Sequence, residues 1–391
     1  YTALSTLGPA YTFRTDVLAD GEIAGNELRG NLVFRGGGDP KLVIENFWLL
    51  VEKVRAYGLQ RIQGDVLLDR TAFASGDDDP AIDGRDDGRA YEVGPDPLLL
   101  NFKAVGFTFI PEPRAGRARI VVVPEIAGMN TPASIALGDR PCAAWRSAVR
   151  ADFSVPLAPK FTGSFPRDCA ERAIYMGALS HDAYFGGVFR ALWEREGGRW
   201  SGRVRSAATP PAAALLASLE SAPLAALIRD SNKFSNNVMT RQIYLTIGAT
   251  RFGAPGDTDK AERATRQFLA SRGLAMSELR IENGSGLSPR ERISADSLAA
   301  LLRDAYYSKV MPELMTSLPI AGVDGTMRTR RVAAGSAHIK TGMLTGVRAI
   351  AGYVLARSGH RYAVVAIINH RNAGSAQRVH DALLDWVYDN G

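Results

Sequence analysis

Ser231-Asn232-Lys233-Phe234-Ser235-Asn236-Asn237 breaks a run that otherwise reads as helix from residue 227 to 247. Ser and Asn bond to nearby backbone in competition with the helix, so they favour caps and turns over helix interiors. Packed together here, they predict an interruption that presents polar groups. Taken alone, the stretch is equally an N-cap or a loop between two helices. A second stretch, Lys340-Thr341-Gly342, closes a strand that begins Ala337-His338-Ile339. A strand-end lysine beside a hydroxyl and a glycine can bind an anion while a substrate backbone approaches. Alone, that tripeptide is weak evidence. A third stretch, Glu282-Asn283-Gly284-Ser285-Gly286-Leu287-Ser288, fails as a nucleophile elbow, because Asn283 stands where that motif needs glycine. It reads as a tight turn.

Outward from these stretches, helical patterns cover 181–196, 211–247, 259–271 and 294–308. Strands follow at 337–340, 349–355 and 361–369, and a final helix carries Val379, Leu383, Leu384 and Val387 on one face. The expected class is α/β (α+β), an antiparallel sheet flanked by helices. In the first half, a short helix ends at Leu7-Gly8-Pro9. Strands are expected at 12–18, 31–35, 64–69 and 118–123, with an amphipathic helix at 41–57. Gly36-Gly37-Gly38-Asp39-Pro40 lacks the Gly-Lys-Ser/Thr ending of a phosphate loop and reads as a structural turn. The acidic, glycine-rich stretch 74–96 lacks the alternating register of a calcium loop and is expected to be an exposed loop.

At 391 residues, two or three domains are expected. Apolar residues make up 46% and charged residues 23%, the balance of a globular protein. No apolar run approaches the ~18 residues of a membrane-spanning helix, and no signal peptide is visible. The net charge of +6 is scattered and without a basic block interleaved with aromatics, which argues against nucleic-acid binding. Two isolated cysteines, Cys142 and Cys169, cannot supply four zinc ligands. Lying in loops of one segment, they are expected to pair as a disulfide in an oxidising compartment.

Together these motifs resemble the class C penicillin-binding proteins, the serine D-alanyl-D-alanine carboxypeptidase/endopeptidases of peptidase family S13. Ser-x-Asn and Lys-Thr-Gly are shared by penicillin-binding proteins and β-lactamases, and further matches run along nearly the whole chain. They include Leu7 to Pro9, Gly36 to Pro40, Gly64 to Val66, Asn283 to Ser288, Leu318-Pro319 and Gly322 to Thr326. The resemblance implies a penicillin-binding transpeptidase-like domain at 1–14 and 205–391. It implies nested insertion domains at 15–28 with 97–204, and at 29–96.

It further implies that Ser235 relays a proton, that Asn237 holds the substrate amide and that Lys340 with Thr341 anchors the terminal carboxylate. Gly342 would give room for strand-like pairing, and the Met343 backbone N–H would complete an oxyanion hole. Partners would be peptidoglycan stem peptides and β-lactams, in the periplasm, with no metal or cofactor. His338 is expected to be a strand-face residue. One departure matters: none of the eight lysines has a serine three positions earlier, so the nucleophilic Ser-x-x-Lys is expected upstream of Tyr1. Met343 and Asn283 replace the family's more usual hydroxyl residue and aspartate. A non-catalytic cell-wall recognition or scaffold protein is the rival reading. A β-lactamase fits less well, because the long insertion before Ser235 is foreign to those compact enzymes.

Overall fold

A computed structural model describes residues 1–74 and 93–391, so most of the expected loop at 74–96 lies outside the described residues. The contacts divide the chain into two compact units. One holds Tyr1–Phe13, Glu220–Gly391 and the described residues 72–74; the other holds Arg14–Thr71 and the described residues up to Leu219.

The chain opens with the short helix α1 (Thr2–Thr6) of the first unit. In the second unit β1 (Arg14–Ala24) and β2 (Glu27–Gly36) then form an antiparallel hairpin in which Val17 faces Phe34. Helix α2 (Ile44–Ala56) buries Phe47, Leu50, Val51 and Val54, the spacing of a single helical stripe. After β3 (Arg61–Ile62) and β4 (Val66–Asp69) come β5 (Val105–Glu112), β6 (Arg117–Val123) and β7 (Ser134–Gly138). The unit continues through α3 (Trp145–Ala148), β8 (Val149–Asp152), β9 (Lys160–Gly163), β10 (Phe165–Pro166) and β11 (Arg172–Met176). It ends with α4 (His181–Arg195), β12 (Arg199–Trp200), β13 (Val204–Ser206) and β14 (Ala214–Glu220).

One sheet runs β12-β3-β2-β1-β14, with β4 and β13 branching from it, and a second runs β10-β7-β6-β5-β11. Phe34 of the first sheet, Phe185 and Phe189 of α4, and Phe107, Phe109 and Phe165 of the second sheet join a single buried cluster.

The boundary drawn between residues 28 and 29 falls inside β2, and both expected insertions share one core. Residues 205–219, expected with residues 1–14, group by their contacts with this unit. The helix expected from residue 211 is the strand β14 over its first part. Ala214–Glu220 is rich in helix formers, but pairing with β1 and the 2.7 Å bond from Ser218 Oγ to Asp16 Oδ1 override that propensity.

Cys142 and Cys169 form a disulfide across 27 residues of sequence. A loop of that length constrains the unfolded chain by about 3–4 kcal/mol in the chain-entropy model. The double Cys142→Ser/Cys169→Ser variant should lose stability of that order in urea titration. Intact mass of the unreduced wild type after alkylation should show neither thiol modified.

The first unit resumes with α5 (Leu224–Phe234), α6 (Asn237–Phe252), α7 (Thr258–Ser271), α8 (Ala295–Tyr306) and α9 (Met311–Ser317). It closes with β15 (Ala337–Leu344), β16 (Val347–Leu355), β17 (Arg361–Asn369) and α10 (Gln377–Asn390). The three strands form an antiparallel sheet in that order, with Lys340 opposite Ala351 and Ala351 opposite Val365. Ile339, Ile350 and Val354 pack with Leu384 and Val387 of α10, whereas Tyr353 packs with Leu302 of α8 and Leu318. On α10, Val379 is exposed rather than part of the apolar face.

The outer edge of β15 carries residues 319–321 as a cover. Ile339 N–H donates to Pro319 O at 2.8 Å and Ala321 N–H to Ala337 O at 2.9 Å, with Ile320 bridging His338. Past Ile339, no described residue pairs along that edge of the strand.

Candidate active site

Helix α5 stops where the cluster of Ser and Asn predicts. Ser235 caps it in the left-handed region (φ 54, ψ 48), and its N–H donates to Ser231 O. Asn236 then caps α6, its side chain accepting from Met239 N–H at 3.1 Å. Ser231 Oγ and Thr240 Oγ1, 2.7 Å apart, tie the two helices across the break. A left-handed conformation costs a non-glycine residue about 1–2 kcal/mol, and such strain concentrates at functional sites.

The break delivers the Ser235 hydroxyl to Lys340, whose Nζ donates to it at 2.7 Å. The same ammonium donates to Thr341 O at 2.9 Å. Burial is the cause that pulls the Lys340 ammonium down to about 8. Thr341 Oγ1 lies 3.1 Å from Thr326 Oγ1. Asn237 is the first residue of α6, half-buried, two positions past Ser235. Gly342 and Met343 follow Lys340 on exposed strand, with Met343 69% exposed. A Cβ at Gly342 would meet only Ala349 Cβ at 3.5 Å, an ordinary contact, so packing within the chain does not demand glycine there. Cys142 and Cys169 lie in the other unit.

Two expected supporting features take definite form. The turn at 282–288 is held by Glu291, whose Oε1 accepts from the N–H groups of Glu282 and Asn283 at 3.0 and 3.1 Å. Gly284 lies against the Tyr244 ring of α6, where a Cβ would come within 2.6 Å of the ring and φ is +75. His338 is a strand-face residue, with Nδ1 3.2 Å from Met315 O.

Sequence reading assigned no role to Lys233, Asp324 or Thr326. The Lys233 side chain is 5% exposed, and its Nζ lies 2.7 Å from Asp324 Oδ2. Burial by itself would raise the Asp324 carboxyl, but hydrogen bonds from Lys233 and the Ile320 N–H hold it below the ordinary value. The available signal was a lysine two places before Ser235 and an aspartate within the matched stretch Gly322 to Thr326.

The family model of the D-Ala-D-Ala carboxypeptidase 3 (S13) family matches residues 1–389. The chain is 24% identical over 383 residues to D-alanyl-D-alanine carboxypeptidase DacB of Haemophilus influenzae, covering 95% of this chain and 78% of that one. It is 28% identical over 409 aligned residues to the D-alanyl-D-alanine carboxypeptidase of Actinomadura sp. (strain R39), covering 97% and 73%. Among solved structures, penicillin binding protein 4 (dacB) from Haemophilus influenzae superposes with a TM-score of 0.81 at 22% identity, over 99% of this chain and 88% of that one. The chain thus shares that mixed α/β fold, and by the match over nearly its full length it belongs to the D-Ala-D-Ala carboxypeptidase (S13) family of peptidases.

Proposed function

We propose that the chain is the greater part of a periplasmic serine DD-peptidase that cleaves peptidyl-D-alanyl-D-alanine, or D-alanyl cross-links, of peptidoglycan through an acyl-enzyme. The single observation that carries this reading is the 2.7 Å bond between Lys340 Nζ and Ser235 Oγ, which joins two motifs 105 residues apart.

The nucleophile is a serine in a Ser-x-x-Lys motif upstream of Tyr1. Its Oγ attacks the carbonyl of the penultimate D-alanine while the lysine of that motif takes its proton. Collapse breaks the peptide C–N bond, and Ser235 relays a proton to the departing amine of the last D-alanine. Water then cleaves the ester and restores the serine. Asn237 holds the substrate amide and so fixes the line of attack.

Lys340 and Thr341 anchor the terminal carboxylate. Strand parity supports the oxyanion role of Met343: Ile339 N–H faces the outer edge of β15, and side-to-side alternation along a strand puts the N–H of residue 343 on that same edge. The edge that 319–321 leaves uncovered there suits an extended peptide adding as a strand. A β-lactam would acylate the same serine; one solved relative of similar fold, penicillin binding protein 4 from Haemophilus influenzae, is known in complex with a novel β-lactam.

The test uses labelled penicillin and intact mass on two proteins: residues 1–391 alone, and the same chain extended through its upstream Ser-x-x-Lys. The short chain should stay unlabelled and the extended one should gain one penicilloyl group. Stoichiometric labelling of the short chain would show that the nucleophile lies within it. An unlabelled extended protein would favour a non-catalytic cell-wall recognition protein.

A further inference from the structure

We propose that Lys233 and Asp324 are a positioning pair, an ion pair between a buried lysine and a part-exposed aspartate that holds Ser235 at bonding distance from Lys340. The inference rests on the functional reading above and adds to it two residues that need not touch substrate.

The geometry is a closed ring. Lys233 stands in the last turn of α5, two residues before the Ser235 cap. Its Nζ donates to Leu318 O at 2.6 Å and to Asp324 Oδ1 at 2.9 Å. Asp324 Oδ1 also accepts from Ile320 N–H at 2.8 Å, which shapes the segment that covers β15. That segment is zipped to the strand through Pro319, Ile320 and Ala321. One residue after Asp324, Gly325 presses on the end of α5: at φ +54, a Cβ there would come within 2.5 Å of Lys233 O. The next residue, Thr326, reaches Thr341 at 3.1 Å, and Lys340 closes the ring on Ser235. Beside the ion pair, Asn232 Nδ2 donates to Ser317 Oγ at 2.8 Å.

Such a pair is a weak source of stability, because desolvating the Lys233 ammonium offsets much of its attraction to Asp324. Its hydrogen bonds are directional, however, and the three acceptors around Lys233 Nζ fix where the α5 end sits against 318–324. A displacement of 1 Å in a catalytic group can cost about a hundredfold in rate. A merely apolar contact at residue 233 would hold the same helix end without fixing its register against the strand.

The test compares Lys233→Met, Lys233→Arg and Asp324→Asn by two readouts. The first is the acylation rate with labelled penicillin, in the protein that carries its upstream segment, normalised to the folded fraction. Lys233→Met should lower it by about 10- to 100-fold, Asp324→Asn by less, and Lys233→Arg should recover most of the loss. The second needs no nucleophile: the titration midpoint of the Lys340 ammonium followed by lysine-selective 15N NMR in residues 1–391. It should move upward toward the ordinary lysine value in Lys233→Met and Asp324→Asn, as the loosened ring admits water.

A lower melting temperature with both readouts unchanged in the folded protein would make the pair purely structural and overturn the proposal. Should Lys233→Met fail to fold, Asp324→Asn carries the same two readouts with both side-chain volumes kept. Wild-type protein that takes no penicillin would count against the functional reading alone, since the Lys340 titration still decides the ring.

Discussion

Ser235→Ala, made in the protein that carries its upstream segment, is expected to slow acylation by labelled penicillin by about 10²- to 10⁴-fold, the range for losing a positioned proton-transfer group. The side chain removed is small, and its Oγ is the acceptor of the 2.7 Å bond from Lys340. On the proposed mechanism two things vanish together: the proton relay to the leaving amine, and one of the two bonds that orient the Lys340 ammonium. Alanine inherits the left-handed backbone at φ 54, so it loses the hydroxyl without relieving strain. Ser235→Gly separates these effects. Glycine adopts that conformation freely, so this variant should melt no lower than Ser235→Ala while acylating as slowly. Rates near wild type for either variant, measured by mass per folded molecule, would remove Ser235 from the mechanism.

For Lys340→Ala the expected loss is roughly 30- to 1000-fold, since one oriented charged hydrogen bond is worth about 2–4 kcal/mol. On the proposed mechanism the carboxylate anchor and the local positive potential go together. The same ammonium predicts a pH dependence of definite sign. In the folded protein burial brings its pKa down to about 8, against about 10.4 in an unfolded chain. Below pH 8 the side chain is charged in both states, and its anchoring of a carboxylate is intact. Between about 8 and 10.4 the folded state releases the proton that the unfolded state keeps, so this group's contribution to stability rises with pH there. Anion binding follows the opposite course, weakening as pH climbs through 8. KM for a D-alanyl-D-alanine peptide should therefore increase above pH 8 without a matching fall in melting temperature from this residue. A flat KM between pH 7 and 9.5 would mean that Lys340 is not the carboxylate anchor.

The antiparallel sheet was legible because 361–369 is a short apolar run rich in Val and Ile bounded by turn signals, and the structure places β17 at those bounds. The break at Ser235 was legible because local hydrogen-bonding competition is a property of Ser and Asn themselves. What sequence could not convey is partnership at a distance. Lys233 reads as one helical lysine among eight, and only folding sets it against Asp324, 91 residues away. Ala214–Glu220 carries good helix formers, and nothing local tells that β1 needs a strand beside it. The insertion boundaries were implied by the resemblance alone, and no local pattern in the sequence displays a core that joins Phe34 and Phe107.

The cover that residues 319–321 lay over β15 has a consequence for colloidal behaviour. A protein that offers a strand edge to an extended peptide offers the same edge to another copy of itself, and such edges seed sheet-to-sheet association. Here the cover ends at Ile339, so among the described residues only 340–344 remain unpaired on that side. By strand parity with Ile339, only Thr341 and Met343 of that stretch point backbone groups to the edge, and it begins with a charged lysine. A flexible peptide threads into so short an edge easily, while two folded bodies gain few hydrogen bonds from meeting there. Restricting the length of exposed edge thus separates recognition of a single strand from self-assembly.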